Sequence, residues 1–224
     1  MLFRILHTLA LLALAAVPVL SRITTAEEAP MRNLFGGNKK LHHGGWGGLT
    51  THNTRIMDQD ALLVGVRAGW MIDHRVTIGL GGHGLVANVG NTAYDDHLTA
   101  NGEVLRRGSS LYMGYGGLLI EPLIAYRSPV HITLPVIVGA GGVTYDHSSI
   151  ISDEFEPHGY HEHYDAQAFF VVDAGIEVEL NVIPLVRVGV GASYRYTSDL
   201  HLPATPKDAL HGSNVGLSLK IGRF

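Results

Sequence analysis

The chain has 224 residues, of which 16% are charged, with a formal net charge of −4 and no cysteine. This excludes disulfides, thiolate metal sites, cysteine nucleophiles and a lipidated N-terminal cysteine, and it offers no basic excess for nucleic acid. Its 28 glycines, about twice the usual share, and its length suit one all-β domain.

An apolar run from Ile5 to Leu20 follows Arg4. Thr24-Thr25-Ala26 then places small residues where a signal peptidase cuts, just ahead of Glu27 and Glu28. His7, Pro18 and an apolar core shorter than about 18 residues argue against a spanning helix. Residues 1–26 are expected to be a cleaved signal peptide that exports the chain. Residues 27–43, with Pro30, Gly36, Gly37, Asn38, Lys39 and Lys40, have no period and read as a periplasmic linker.

From residue 44 on, strand-like runs alternate with breaks. Trp46 to Ile56 is the weakest run, its alternation blurred by Gly47-Gly48 and His52. Leu62, Val64, Val66, Ala68, Trp70 and Ile72 share one face, opposite Gly65, Arg67 and Gly69. Asp73-His74 is a tight break, after which Val76, Ile78 and Leu80 resume against Thr77, Gly79 and Gly81. A polar stretch from Asn88 to about Ser110 reads as a long loop. Tyr112 to Tyr126 is a long apolar run, and Ser128-Pro129 ends it. Ile132, Leu134, Val136, Val138 and Ala140 alternate with Thr133, Pro135, Ile137 and Gly139. Another polar stretch, Asp146 to Asp165, precedes Phe170, Val172, Ala174, Ile176, Val178 and Leu180, which face away from Asp173, Gly175, Glu177 and Glu179. After a short break at Asn181–Pro184, the clearest strand runs from Leu185 to Tyr196, with Val186, Val188 and Val190 opposite Arg187, Gly189, Gly191 and Arg195. A loop from about Ser198 to Gly212 leads to Val215, Leu217, Leu219 and Ile221.

The sum is eight strands whose connections alternate short and long, except for the brief Met57–Asp60 turn. Period-two strands with one apolar and one charged or glycine face fit either a soluble core or a transmembrane β-barrel. The export signal and the aromatics near strand ends favour the barrel. Those aromatics are Trp70 and Tyr126 by the short turns, and Tyr112, Tyr145, Phe169, Tyr194 and Tyr196 by the long loops. Such rings prefer the membrane interface. The fold expected is an all-β, eight-stranded antiparallel transmembrane β-barrel over residues 44–224, in an outer membrane. Both mature ends then lie on the periplasmic side. Glycines on the polar face would leave room for long charged side chains in a lumen just wide enough for side chains to fill. By this facing, Val188→Arg is expected to impair insertion and Gly191→Ser to be milder.

With that topology the chain resembles the small eight-stranded outer-membrane proteins of the OmpA/OmpX type, and more broadly the outer-membrane β-barrel proteins of Gram-negative bacteria. The stretches that carry the resemblance are Gly114-Tyr115-Gly116-Gly117-Leu118 with Glu121-Pro122, and Pro135 to Gly142. The resemblance implies a terminal aromatic, here Phe224, recognised by the outer-membrane assembly machinery. Phe224 is even-numbered whereas the outward set is odd, so a bulge near Gly222 would be needed to restore phase.

Three constellations carry candidate chemistry. Arg67, Glu121, Asp173, Glu177, Glu179, Arg187 and Arg195 would lie in the lumen, as a paired structural network or as the lining of a narrow channel. His158, His161 and His163, among the acids of the loop near 155, are candidate metal ligands; the His42-His43 pair is weaker. His211-Gly212-Ser213-Asn214 is similar to the His-x-Ser-Asn motif of PagL-type lipid A deacylases, which implies His211 as base and Ser213 as nucleophile. The acidic residue that follows the motif in that family is missing here, and Asp208 lies upstream. The expected function is non-enzymatic: a structural or surface-interaction role through long extracellular loops. No cofactor and no nucleic acid are expected, only outer-membrane lipid, the assembly machinery and an extracellular partner. A lipid A deacylase-like esterase, a metal-binding surface loop and a narrow channel remain the alternatives.

Overall fold

The computed structural model describes residues 42–150 and 165–224. Its elements are β1 (His43–Ile56), β2 (Gln59–Ile72), β3 (Val76–Leu85), β4 (Val89–Gly90), α1 (Thr92–Ala100), β5 (Val104–Ile124), β6 (Val130–Thr133), β7 (Val136–Ile150), β8 (Asp165–Ile183), β9 (Val186–Thr197) and β10 (Gly212–Arg223). The signal peptide and nearly all of the linker expected from the sequence lie outside the described residues.

Every ladder is antiparallel, and β10 returns to pair with β1, from Gly45↔Arg223 to Thr54↔Asn214. β6 and β7 form one stave, because both pair with β5 and with β8. The stave breaks at Pro135, which has no N–H to give the ladder. The Leu134 amide still reaches the Pro122 carbonyl (3.0 Å), and Pro135 accepts from the Gly175 amide (2.9 Å). With this stave counted once, and the two-residue β4 taken with β3, which it follows along β5, the strands form a closed ring of 8.

The turns explain the register. Met57 and Asp58 have φ of 48° and 61°, and Asp73 and His74 have 51° and 55°. Positive φ at both central residues is what a type I′ hairpin turn requires. One rim carries the short connections at 73–75, 125–129 and 184–185, together with His43 and Phe224. The other carries the long ones, plus the tight Met57-Asp58 turn.

The stretch expected to be a loop from Asn88 to Ser110 is ordered otherwise. It holds β4, then α1, then the start of a 21-residue β5. Asn91 caps the helix, accepting from the Tyr94 amide at 3.2 Å, which satisfies a donor that a helix start leaves free. Tyr94 and Leu98 bury the inner side of α1. A nine-residue helix with two anchors shows too little periodicity to stand out in a sequence.

The barrel is inside-out. Leu49, Val66, Leu80 and Leu217 are 59–69% exposed on its outer wall, whereas Glu179 and Lys220 are 1% exposed inside. In β1, Trp46, Thr50, His52, Thr54 and Ile56 point inward, and the outward positions include Gly45, Gly47, Thr51 and Asn53. Polar residues on both faces are what blur its alternation.

Two apolar clusters close the ends of the lumen. At the short-turn rim, Trp46, Met71, Leu119, Leu123 and Ile137 pack with Tyr126 and Phe224. At the long-loop mouth, Ile56, Leu63, Tyr94, Leu111, Tyr145, Phe169, Leu200 and Leu210 belong to one larger core. Tyr145 and Phe169 therefore do not join the outer aromatic girdle. They sit on the inward phase of β7 and β8 and are buried under the mouth. Trp70, Tyr112, Tyr194 and Tyr196 do point outward. No bulge forms at Gly222, which pairs with Trp46 in unbroken register. Phe224 thus stays on the inward phase, with the Arg187 guanidinium 3.8 Å above its ring.

Candidate functional site in the barrel lumen

The seven charges assigned to the lumen are all buried inside it. In its lower half the Lys220 ammonium, 4.4 Å above the Trp46 ring, sits among three carboxylates. It donates to Glu121 at 2.6 Å and to Glu179, and lies 3.9 Å from Glu177. Arg67 donates to Glu177 at 3.2 Å, and the Ser218 hydroxyl donates to the same side chain. Arg187 stands 3.7 Å from Glu179, which also meets His131 (2.9 Å) and Thr133 (3.2 Å). Three cations answer three carboxylates, so the network is neutral, the condition under which buried charge is tolerable, while Arg67 Nε, Arg187 Nε and Glu121 Oε2 keep no hydrogen-bond partner among the described residues. Gly189 makes the space: a Cβ there would run into the Glu177 carboxylate and come within 2.6 Å of the Ser218 hydroxyl.

The next layer up is different. Arg195 donates to the Leu210 carbonyl (2.7 Å) and to Asn214 (3.1 Å), and Asn214 donates to Ser193 (2.9 Å). Tyr115 donates to Asp173 at 2.7 Å. His52 and His83 stack with ring centroids 4.7 Å apart, and His83 Nε2 meets the Thr50 hydroxyl at 3.0 Å. Lys220, His83, His131 and Tyr115 are not among the site residues expected from the sequence. Strand parity places each on the inward phase, which was the available signal; it does not say which inward neighbours meet.

Above this layer α1 and the 198–211 segment cap the mouth. Asn91 donates to the Tyr145 hydroxyl (2.8 Å) and the Ala204 carbonyl (3.1 Å). The Tyr94 and Tyr145 rings stack at 4.3 Å, and Tyr94 donates to Asp165 at 2.6 Å. Burial, then the Asp165 bond, pushes the Tyr94 hydroxyl above its usual range. On the opposite rim, hydrogen bonding with Arg127 and then Arg75 holds the Tyr126 hydroxyl below its usual range.

The other candidates are not assembled. The His211 ring lies against Tyr196 (4.7 Å) and donates from Nε2 to the Thr197 carbonyl (2.8 Å). Among the described residues no hydrogen bond joins it to Ser213, and Asp208 reaches it only through the backbone. Ser213 is exposed on the outer wall. His158, His161 and His163 lie outside the described residues. His42 and His43 are exposed at the short-turn rim, against His74 and Trp70 respectively.

No protein-family model matches the chain, and no curated protein does. Solved structures match its fold. A major outer membrane protein from Thermus thermophilus superposes with a TM-score of 0.51 at 7% identity, over 81% of this chain and 99% of that one. Neisserial surface protein A gives 0.47 at 11% identity, over 82% and 99%. The outer membrane protease OMPT from Escherichia coli gives 0.38 at 10% identity, over 81% and 95%. At such identities the likeness concerns the fold alone, and the Thermus protein and the closed ring of ladders carry it.

The chain has the fold of the small eight-stranded outer-membrane β-barrels. Lipid is then the solvent of its apolar wall, and the outward Trp and Tyr rings lie where such a barrel carries its interfacial girdles. The described residues include no helix long and apolar enough to cross a membrane; the strands do the crossing.

Proposed function

We propose that this barrel has a non-enzymatic role, structural or in surface contact, exercised through its long loops on the extracellular side. The observation that supports this most is the filled lumen. Its lower half holds a neutral, buried ion-pair network, and a packed apolar cap covers its mouth, so neither water nor solute has a continuous wide path. Outer-membrane barrels keep short turns in the periplasm and long loops outside, which puts α1 and the 198–211 cap on the cell surface. The cap is tied to the strands by Tyr94, Tyr145 and Asn91, giving a preformed contact surface. The inward Phe224 would present the assembly machinery with a terminal aromatic only before it packs under Arg187.

Amine-reactive biotin applied to intact cells tests the orientation. Of the four lysines, Lys207 is exposed on the cap and Lys220 is buried. Surface labelling that disappears in Lys207→Arg is expected; labelling only after the cells are broken overturns the orientation. Purified protein in planar bilayers is expected to give no large, steady conductance. In detergent it is expected to release no fatty acid from lipid A. Release by the wild type that Ser213→Ala abolishes would replace this reading with an esterase.

A further inference from the structure

We propose that His52, His83 and Asp173 form a binding site for one divalent late first-row transition ion of the zinc class inside the barrel. The three come from β1, β3 and β8, and their ligating atoms all lie within 4.8 Å of one another. All three side chains are more than nine-tenths buried.

Arg67 Nε, Glu121 Oε2, His131 Nδ1 and Arg187 Nε are also buried without a hydrogen-bond partner among the described residues; what separates this cluster from them is that three groups able to ligate a metal stand together, each with an open atom. His52 Nδ1, His83 Nδ1 and Asp173 Oδ1 have no hydrogen-bond partner among the described residues. Buried polar atoms are normally satisfied. Two of these groups are satisfied on their other atom. Thr50 engages His83 Nε2, and the Tyr115 hydroxyl engages Asp173 Oδ2. Metal-binding imidazoles and carboxylates are commonly held this way, one atom fixed by an outer partner and the other left for the ion. No cation lies within salt-bridge distance of Asp173 among the described residues: Arg67 is taken by Glu177, and Arg195 bonds the Leu210 carbonyl and Asn214.

The backbone makes room for the two rings. Gly65 on β2 lies between their strands, and a Cβ there would strike the His83 ring, the Gly82 carbonyl (2.5 Å) and the Thr50 hydroxyl (2.7 Å). Gly216, which pairs with His52, would drive a Cβ into the His52 ring. Ligands on one zinc at about 2.0–2.2 Å stand roughly 3.3 Å apart. The cluster therefore closes on an ion by side-chain rotation of no more than about 1.5 Å at its widest. Two imidazoles and one carboxylate suit zinc and its neighbours rather than magnesium or calcium, which prefer oxygen alone. The other close trio, Glu121, Glu177 and Glu179, already holds the Lys220 ammonium and is not such a site. The nearby Arg67 and Arg195 guanidiniums oppose a further cation, so micromolar rather than tighter affinity is expected.

The test uses full-length mature protein refolded in detergent, stripped with chelator and titrated with Co(II) as a spectroscopic stand-in, then with Zn(II). The background carries His158, His161 and His163 all changed to Ala, which removes the loop histidines and leaves the barrel wall untouched. One Co(II) per barrel, with visible d–d bands that Zn(II) displaces, is expected. His83→Gln and Asp173→Asn should each weaken binding by at least tenfold while the heat-modifiable gel shift of the folded barrel persists. If either variant fails to fold, 15N spectra of histidine-labelled protein in the same background replace it, with ring-nitrogen shifts at His52 and His83 on adding Zn(II) expected. Absence of Co(II) bands in the loop-histidine background overturns the site. So do bands unchanged in both variants, or ring shifts confined to other histidines.

Discussion

The lower lumen and the layer above it are built from the same kinds of residue and reach opposite states. Below, Lys220, Arg67 and Arg187 meet Glu121, Glu177 and Glu179 with every charge answered. Above, His52, His83 and Asp173 are as deeply buried, yet among the described residues no cation stands within salt-bridge distance of Asp173, and the three ligating groups converge. A charge-paired network is a structural filler: it plugs the barrel and holds opposite staves together. A layer whose buried carboxylate has no cation beside it and whose ligating groups converge has traded stability for the capacity to take something in, which makes the upper layer the functional candidate.

The largest expected effect falls on the lower network. Lys220→Met leaves Glu121 with no cation within salt-bridge distance among the described residues, and breaking a buried pair costs about 3–5 kcal/mol. The folded fraction after refolding, read by heat-modifiable mobility and by the urea midpoint, should drop sharply. Adding Glu121→Gln should recover part of the loss; if the single and double variants behave alike, the network is not a coupled unit.

Next comes the outer wall. Val188→Arg puts a charge in lipid at a cost of about 2–4 kcal/mol and should lower the yield of membrane-inserted protein. The inward neighbour Gly191 was expected to accept Ser gently, and the structure corrects that. A Cβ there would come within 2.5 Å of the Ile176 carbonyl oxygen across the ladder, so Gly191→Ser should also impair assembly. Full assembly of Gly191→Ser would show that the β8–β9 ladder yields more than its geometry suggests.

The cap contributes less. Tyr94→Phe removes the bond to Asp165 and should cost about 1 kcal/mol, seen as faster protease cutting near α1. Its pH dependence has a defined sign. The folded state raises the Tyr94 pKa above its ordinary 10.0. The stability this contributes is whole below that value and is lost as pH rises through the raised one, because the unfolded chain ionises first. Tyr94→Phe should flatten the alkaline limb of a stability–pH curve; an unchanged limb would assign it to other groups.

The smallest effect is expected in the histidine layer. Without metal, His83→Gln forfeits a ring stack but can keep the Thr50 contact, so its urea midpoint should move by less than about 1 kcal/mol. A loss as large as that of Lys220→Met would make the histidine layer structural after all and erase the contrast between the two layers.

Much of this was legible in the chain. Period-two runs gave the outward faces of β2, β3, β8 and β9, because alternation is a local property of a pleated strand. The same parity put Arg67, Glu177 and Arg187 inside. It was mute where the local signal was weak or mixed: in β1, with polar residues on both faces, and in α1, too short to show a period. Tyr145 and Phe169 were placed at the rim by proximity to a loop, although their phase pointed inward.

Neighbours along the chain set the fold class, the facing of most strands and the alternation of short turns with long loops, and each of these can be read from residue order alone. Who meets whom across the lumen is a property of the closed ring. Lys220 and Glu121 are 99 residues apart, and His52 joins Asp173 only because the ring closes through the β1–β10 ladder. Closure also turned Phe224 inward and folded α1 over the mouth. Parity assigns a side chain to a face, but pairing in the lumen depends on strand stagger around the ring, and that is fixed only when the last strand meets the first.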